Sequence, residues 1–460
     1  MSGIPRTDLL TRYPWLKRAL QSRAFQPTLM MVTLAVFTLA ILTGLFGTPA
    51  GSRNFGIIFV WIVWWALLII GIVPLAGRLW CAMCPIPAPG EWLQRRGVVE
   101  RVMGRPFTRG LRWPRRLKNM WLQNFGFLGV AIFSAIILTR PQVSAWVLLG
   151  FVVIGIALSL LYERRVFCKY VCPVGGFIGL YSLVAPTELR VKDPAICASH
   201  RSKDCVTGNE RGYGCPWLAY PGSLTRNIDC GLCTECLKTC PMDNIGLFIR
   251  APGSDLLKPK GRRLDEAYKA FIMLGCALLY SAVLLGPWGW LKSWANMQTP
   301  GHWALYALGF ITFVLLVLPG LFWLVAQLAG RAGDQRAGAR QLFVDYAYAL
   351  VPLGLAAWIA FSFSFVLTNG SYALAVISDP FGWGWDLFGT ASFPWQPLSP
   401  RLIAFLQAGA LTAGLLFATR TAFQIAREHS EDARQAFRAA LPVSMFLLVV
   451  TLAFFRLYLG

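Results

Sequence analysis

Nine apolar stretches, each close to the length that crosses a lipid bilayer, constrain this chain more than any other feature. A transmembrane helix needs about 20 largely apolar residues. The stretches lie at residues 28–47, 56–76, 125–139, 143–162, 270–289, 303–328, 342–367, 402–419 and 440–458. The composition agrees, with 56% hydrophobic and only 14% charged residues. The sequence therefore predicts an all-α polytopic membrane protein of about nine spans, in which 125–139 is the shortest.

The basic residues predict the direction of the spans. With the N-terminus inside, 38 of the 43 Lys and Arg residues fall in cytoplasmic segments, where such residues collect in membrane proteins. The C-terminus is then outside. This bias and the anionic lipid headgroups account for the net charge of +22, and no recognisable module indicates nucleic-acid binding. The basic segment 95–118 is expected at the membrane interface, with a docking surface for an acidic partner as the alternative.

A run of four cysteines, in NIDCGLCTECLKTCPMDN at residues 227–244, interrupts the membrane pattern. Eleven of the twelve cysteines lie in predicted cytoplasmic segments. Since the cytoplasm is reducing, a disulfide framework explains them poorly. A zinc ribbon is one alternative, but the spacing C-x2-C-x2-C-x3-C-P is typical of bacterial ferredoxins, in which thiolates hold 4Fe-4S clusters.

Three further cysteines precede that run, at spacings of seven and nine residues, and Pro216 follows the last of them. The whole pattern resembles the seven-iron ferredoxins. The resemblance implies a 4Fe-4S cluster on Cys215, Cys230, Cys233 and Cys236, and a 3Fe-4S cluster on Cys197, Cys205 and Cys240. For the second site, a 4Fe-4S cluster with Asp204 or His200 as fourth ligand is the alternative, although both residues also fit an ordinary solvated loop.

Two shorter motifs follow predicted spans, RLWCAMCPIPAPGEW at 78–92 and RRVFCKYVCPVGGFIGLYS at 164–182. Together with the cysteine loop they resemble the polytopic iron-sulfur proteins of the NapH and NosR type, and residues 204–247 are similar to the FesM-like branch. Four thiolates complete the ligand set of one more cluster. We therefore expect a third cluster at the inner membrane face, on Cys81, Cys84, Cys168 and Cys172. The alternative is that these are buried thiols that pack as small hydrophobic side chains.

The resemblance implies electron transfer between membrane quinone and redox partners at the surface. We expect an oxidoreductase of the cytoplasmic membrane that links a soluble, ferredoxin-like carrier to the quinone pool or to a membrane redox complex. An accessory protein that assembles or reduces a metal site, and a redox sensor, are the alternatives. Haem is not expected, because the sequence has only three histidines, His200, His302 and His429. No dinucleotide-binding fingerprint is visible.

The expected organisation has four parts. Residues 1–27 form a cytoplasmic segment, and 28–185 hold the first four spans with both Cys-Pro motifs. Residues 186–262 form an inserted ferredoxin-like α+β module, and 263–460 hold the last five spans. A quinone contact is less well defined. Asp345, near the inner end of the seventh span, is an ionisable residue at membrane depth, but an ion pair with Arg340 is the simpler explanation.

Overall fold

The computed structural model of the chain describes residues 6–99 and 106–459. The chain divides into two compact units. The first unit comprises Met1–Leu39, Gly71–Gln123 and Leu148–Asp255, and the second comprises Ala40–Ile70, Asn124–Val147 and Leu256–Gly460. All eleven cysteines of the predicted cluster sites belong to the first unit, and Cys276 belongs to the second.

Eight helices are long and apolar enough to cross a membrane, so the chain is an integral membrane protein. They are Phe25–Phe46, Phe55–Ala76, Pro141–Leu161, Leu264–Leu284, Pro300–Ala332, Ala339–Asn369, Pro400–Glu428 and Ala433–Leu459. Eight of the nine predicted spans are confirmed in this sense.

The remaining predicted span, at 125–139, is not one long helix. It forms two short helices, Trp121–Ile132 and Ser134–Ile137, because the backbone of Phe133 leaves the helical conformation at φ −92° and ψ 7°. At about 1.5 Å per residue, the longer piece rises only about 18 Å. That is shorter than the hydrocarbon core of a bilayer, about 30 Å.

A three-stranded antiparallel sheet lies in the first unit, in the order β1-β3-β2. Its strands are β1 (Thr7–Asp8), β2 (Thr187–Val191) and β3 (Ile245–Ile249). β2 and β3 pair in full register, from Thr187 opposite Ile249 to Val191 opposite Ile245. Because Val191 pairs with Ile245, the two ends of the cysteine loop, residues 192–244, lie next to each other at the edge of this strand pair.

The N-terminal segment shares a hydrophobic core with the cysteine loop. Leu10, in the helix Leu9–Arg12, is buried in a cluster with Leu189, Cys205, Leu232, Cys236, Leu237 and Ile245. Leu16 and Leu20, from the helix Pro14–Gln21, pack against this cluster. The sequence did not indicate this arrangement, because a two-residue strand carries no periodic pattern.

Short helices make up most of the rest of the first unit. They are Val73–Ala76, Leu79–Met83, Ala88–Arg95, Pro173–Tyr181, Pro194–Ser199, Asp204–Thr207 and Glu235–Thr239. The second unit consists mainly of long spans, and its shorter helices include Ser134–Ile137, Gly289–Ala295 and Tyr372–Ser378. Its buried Trp358 donates to the carbonyl of Met273 at 3.0 Å and contacts Tyr280 edge to face.

Candidate metal centre

The first Cys-Pro motif places its two cysteines at the end of a short helix. Cys81 lies within Leu79–Met83, and Cys84 caps its C-terminus in an extended conformation. Cys81 and its neighbour Ala82 are buried. The chain then turns at Pro85, which adds no N–H donor.

The second motif uses its proline to begin a helix. Cys172 is the N-cap of Pro173–Tyr181, and its Sγ accepts the N–H of Gly175 at 3.2 Å. Pro173 occupies the first helical position, where a missing N–H costs nothing. Cys168 lies one turn earlier, in a stretch of π-helix. The motif therefore fixes the positions of both sulfur atoms through local backbone structure.

The four cysteines of these two motifs, here called the membrane-edge group, lie close enough to affect one another. Burial raises the pKa of the Cys168 thiol well above its usual value, and the thiols of Cys172, Cys84 and Cys81 raise it further. Burial likewise raises the pKa of Cys84, and Cys172 and Cys81 add to that increase. The structure thus brings together two pairs of thiols that are more than 80 positions apart in sequence.

A buried ion pair ties the second motif to the first. The Arg165 guanidinium donates through Nε to the Glu91 carboxylate at 2.7 Å and through Nη1 to the carbonyl of Cys81 at 3.0 Å. Burial alone would raise the pKa of Glu91, but Arg165 and Arg95 outweigh it and hold that pKa below its usual value. The carboxylate is therefore ionised at neutral pH and compensates the charge of Arg165.

Basic side chains of the second motif also hold the cysteine loop. The Arg164 side chain donates to the carbonyl of Tyr213 at 2.6 Å, and the Lys169 ammonium donates to that of Trp217 at 2.7 Å. The backbone N–H of Arg165 donates to the carbonyl of Pro216 at 3.0 Å. Three hydrogen bonds thus fasten residues 213–217, around Cys215, to the motif that carries Cys168.

Cys215, Cys230, Cys233 and Cys236, here called the loop group, line one largely apolar pocket of about 390 Å³. These are the four cysteines predicted to hold the 4Fe-4S cluster of the loop. The apolar side chains around them are Leu189, Trp217, Ala219, Pro221, Leu224 and Ile245. Gly231 lies so close to Trp217 that a Cβ added to it would be 2.2 Å from the indole Nε1. Only glycine fits there.

Cys197, Cys205 and Cys240 form a third set, here called the three-cysteine group. Burial raises the pKa of the Cys205 thiol to about 11, and Cys197 and Cys240 contribute to the increase. Asn244 joins the other two cysteines. Its backbone N–H donates to the Cys240 sulfur at 3.4 Å, and its side-chain amide donates to the Cys197 sulfur at 3.3 Å.

The two alternative ligands of this group have polar partners within the loop. Asp204 accepts from the Asn209 amide at 3.3 Å, and a hydrogen bond from Ser202 is the main reason that its pKa lies below the usual value. His200 also contacts Ser202, at 3.0 Å. These contacts suit a solvated loop, and the choice between a 3Fe-4S and a 4Fe-4S cluster stays a prediction.

The three cysteine groups follow one another. Arg165 joins the membrane-edge group to the loop group, because it donates to the carbonyl of Cys81 and to that of Pro216, next to Cys215. The loop group in turn neighbours the three-cysteine group, because Cys236 and Cys205 share one hydrophobic core and the N–H of Cys215 donates to the carbonyl of Cys205 at 2.9 Å. The loop group therefore occupies the middle of the series.

The chemistry of the donors, thiols in sets of three and four, suits iron-sulfur clusters. Within residues 6–99 and 106–459, no three His, Cys, Asp or Glu side chains converge closely enough to hold one metal ion. Zinc would need its sulfur ligands at about 2.3 Å, whereas a cluster takes one thiolate on each of several iron atoms. Buried thiols with raised pKa values also need compensating positive charge to ionise, and iron supplies that charge.

Asp345, the predicted quinone contact, lies in a polar cluster of the second unit. Its carboxylate contacts His429 Nε2 at 2.9 Å and Arg262 Nη1 at 3.5 Å, and Arg262 also contacts Glu428 at 2.7 Å. These residues line an open pocket of about 1170 Å³, which Arg340 lines as well. Among the described residues, however, the ion pairs of Asp345 are with Arg262 and His429, so the predicted pair with Arg340 was wrong.

Sequence reasoning missed four residues that shape these sites, namely Glu91, Arg165, Trp217 and Asn244. All four lie inside or directly beside the cysteine motifs. In the sequence, these four residues differ from their surroundings only in being polar or large beside a predicted cysteine ligand. A single sequence does not show which polar neighbour of a cysteine is buried.

Comparison with known proteins supports this chemistry at a coarser level. Residues 57–108 and 144–191 match a family model described as a 4Fe-4S binding domain, and these segments contain the membrane-edge group. The protein named "Putative electron transport protein YccM" from Escherichia coli (strain K12) is 24% identical over 148 residues, which are 32% of this chain and 36% of that protein. No solved structure matches the chain. The chain is thus an integral membrane protein with a match to a 4Fe-4S binding domain, and its similarities are to iron-sulfur electron transport.

Proposed function

We propose that this protein transfers electrons, through three clusters held by its cysteines, between a soluble ferredoxin-like carrier at the cytoplasmic face and the membrane quinone pool. The observation that carries the proposal is the succession of the three-cysteine, loop and membrane-edge groups within one compact unit. In this proposal they hold a 3Fe-4S and two 4Fe-4S clusters, which supply one-electron carriers. The motifs favour the FesM-like branch of the NapH and NosR type.

The polypeptide's own part is to place the ligands and to adjust the reduction potentials. N–H donors to sulfur, such as those of Gly175 and Asn244, stabilise the more negative, reduced form and so raise a potential. The clamp of residues 164–169 on residues 213–217 keeps the loop group beside the membrane-edge group. A short separation between carriers is what a relay needs.

The convergence of the membrane-edge group also supports nine spans. The first motif follows the span Phe55–Ala76, and the second follows Pro141–Leu161. If both motifs are at one membrane face, the chain must cross an even number of times between them. Pro141–Leu161 provides one crossing, and residues 121–137 are then the other, as two successive helices of 12 and 4 residues with a combined rise of about 24 Å.

The sidedness of the clusters rests on the basic residues, because 38 of 43 lie in the segments assigned to the cytoplasm. Reporter fusions after residues 110, 220 and 335 should report the cytoplasm, and fusions near 295 and 385 should report the outside. An outside report at residue 220 would place the clusters, and hence the soluble carrier, in the other compartment.

The pocket around Asp345 is our proposed site of quinone chemistry. Reduction of a quinone to a quinol takes two electrons and two protons. The hydrogen-bonded pair of Asp345 and His429 offers a carboxylate and an imidazole, side chains that commonly transfer protons in enzymes, and ionisable residues within membrane spans mark proton or substrate paths. Arg262, which contacts both Asp345 and Glu428, would hold the carboxylates in place.

The experiment is turnover in liposomes. Anaerobically purified protein, reconstituted with a quinone, should oxidise reduced ferredoxin and reduce quinone in a fixed ratio, and its iron and sulfide content should correspond to three clusters. Stoichiometric zinc with little iron would refute the cluster proposal. Full iron content without quinone-linked turnover would keep the clusters and refute the quinone link.

A further inference from the structure

Arg78 is a buried cation that has no carboxylate partner. It is 3% exposed, and among the described residues it forms no ion pair with an Asp or Glu side chain. Its Nη1 donates to the carbonyl of Ile228 at 2.6 Å, but its Nε and Nη2 find no acceptor. Burying an uncompensated charge is costly, so a structure that tolerates one generally places a counter-charge beside it.

The contacts of Arg78 lead to two of the cysteine groups. Its carbonyl accepts the N–H of Cys81, and its Nη1 lies against Gly179, in the helix that Cys172 caps. On the other side, Ile228 precedes Cys230 by two residues. The guanidinium therefore stands between the membrane-edge group and the loop group.

The aromatic partner of Arg78 also lies beside the loop group. The guanidinium carbon is 4.1 Å from the ring centroid of Trp217, and Trp217 lines the pocket of the loop group. The indole Nε1 is itself buried without an acceptor. Burial raises the pKa of the Cys230 thiol, and that of Cys172 to about 11, and the charge of Arg78 opposes both increases.

Arg165 also lies between the two groups, but its guanidinium is hydrogen-bonded to the Glu91 carboxylate. Arg78 adds positive charge to this position with no carboxylate in contact. We propose that Arg78 is the shared counter-charge of the two neighbouring clusters and holds both at higher reduction potentials than the cysteines alone would give. The inference rests on the proposed function, since it assumes clusters on both groups.

The physical effect is direct. Each cluster gains one electron on reduction and gives it up on oxidation, with no bond made or broken. A fixed cation nearby stabilises the reduced, more negative form of both clusters through Coulomb attraction, which is strong where water is excluded. Removing the cation should therefore lower both potentials together.

The test is a redox titration of the full-length, iron-loaded protein, followed by EPR. Arg78→Gln should make reduction of both four-cysteine sites at least tenfold less favourable, which is about 59 mV for a one-electron couple. The three-cysteine site should not shift. Arg78→Lys keeps the charge and should restore both potentials. Trp217→Phe should lower only the potential of the loop group, because it removes one local donor and leaves the cation.

Arg95→Gln is the matched control. Arg95 stacks on Tyr213 at the same 4.1 Å, but its charge is paired with Glu91. Its loss should change both potentials by less than tenfold. A larger shift in this variant would show that any stacked arginine has the same effect, which would overturn the special role of Arg78.

Three other outcomes would overturn the inference. They are unchanged potentials in Arg78→Gln, a shift at one site only, or potentials in Arg78→Lys as low as in Arg78→Gln. If Arg78→Gln fails to retain iron, Arg78→Lys and Trp217→Phe decide the matter through the pattern given above. If the wild type contains all its iron and the Arg78 variants keep its potentials, this inference alone is overturned. If the wild type contains no clusters, the proposed function is overturned too.

Discussion

The first unit contains sets of buried thiols that neighbour other thiols, whereas the buried carboxylate Asp345 of the second unit neighbours cations. Cys168 lies among three more cysteines, but Asp345 pairs with Arg262 and His429. Ionised groups of like charge repel, so a cluster of thiolates needs added positive charge. Asp345 is balanced by side chains of its own unit, whereas the thiolate sets of the first unit would need metal to balance their charge.

Removing one thiol from each unit tests this difference most strongly. Cys172→Ser leaves one of three ligand sets incomplete, so it should remove roughly a third of the bound cluster signal and stop quinone-linked transfer. Cys276→Ser is the matched control, because Cys276 is equally buried and is the only cysteine of the second unit. It should leave iron and turnover unchanged. Iron analysis and EPR measure both. If Cys172→Ser keeps the iron content and the turnover of the wild type, the cysteines of the membrane-edge group are packing residues and not cluster ligands.

The second unit should respond to changes of its carboxylates. Asp345→Asn keeps the shape and the contact with His429 but cannot take up a proton. This variant should slow quinone reduction by roughly a hundredfold, which is the rate loss typical when a general acid–base group is removed. The EPR signals of the clusters should not change. Glu431→Gln, at an exposed ion pair with Arg336 in the same unit, should have no effect. Equal rates for both variants would remove Asp345 from the quinone site.

Two glycines compare the packing of the units. Gly231→Ala forces a Cβ to 2.2 Å from Trp217 Nε1, and overpacking of this kind typically costs about 1–3 kcal/mol. Part of the EPR signal of the loop group should therefore be lost on mild heating. Gly129→Ala, in the helix Trp121–Ile132, meets nothing within 4 Å and should be neutral or slightly stabilising. If Gly231→Ala melts at the wild-type temperature, the close approach to Trp217 is not a constraint.

The smallest expected effect concerns Asn244. Asn244→Ala removes one hydrogen bond to sulfur, worth about 1 kcal/mol, so the three-cysteine site should become roughly fivefold harder to reduce while the other two sites keep their potentials. The counterpart in the second unit is Asn369→Ala, which loses a hydrogen bond to the carbonyl of Phe365. Asn369→Ala should leave the reduction potentials of all three cluster sites unchanged. An unchanged potential in Asn244→Ala would contradict a role for its amide in tuning.

The spans and the grouping of the cysteines could be predicted because both signals are local. A run of about 20 apolar residues is recognised as a span without reference to the rest of the chain. The ferredoxin-like spacing likewise identifies the ligand cysteines from a short stretch of sequence. The pair of Arg165 and Glu91 could not be predicted, since its members stand 74 positions apart and each lies among several other charged residues. The same holds for Asp345. Its nearest basic residue in sequence, Arg340, was the natural choice, yet its ion-pair partners come from residues 262 and 429.

The segment around 125–139 shows where a local signal misleads. Its hydropathy predicts one helix, but the helix ends at Phe133, and hydropathy does not record backbone conformation. Conversely, the cysteine loop contains polar residues that become buried, such as Glu235 and Lys238, which pair with each other at 2.8 Å. Burial of that kind follows from the tertiary structure and not from residue type.

The pairing of β1 with β3 has a consequence for how the protein is made. Thr7 leaves the ribosome before its partner Ile249, which follows 242 positions later. At about 5–20 residues per second, that delay is roughly 12–50 seconds. The N-terminal helices cannot dock until β3 emerges, so we expect Cys205 and Cys236 to stay accessible during that interval, until Leu10 closes the core over them. Iron delivery would then be timed by translation, and slowing synthesis between residues 8 and 245 would lengthen the period in which clusters can be inserted.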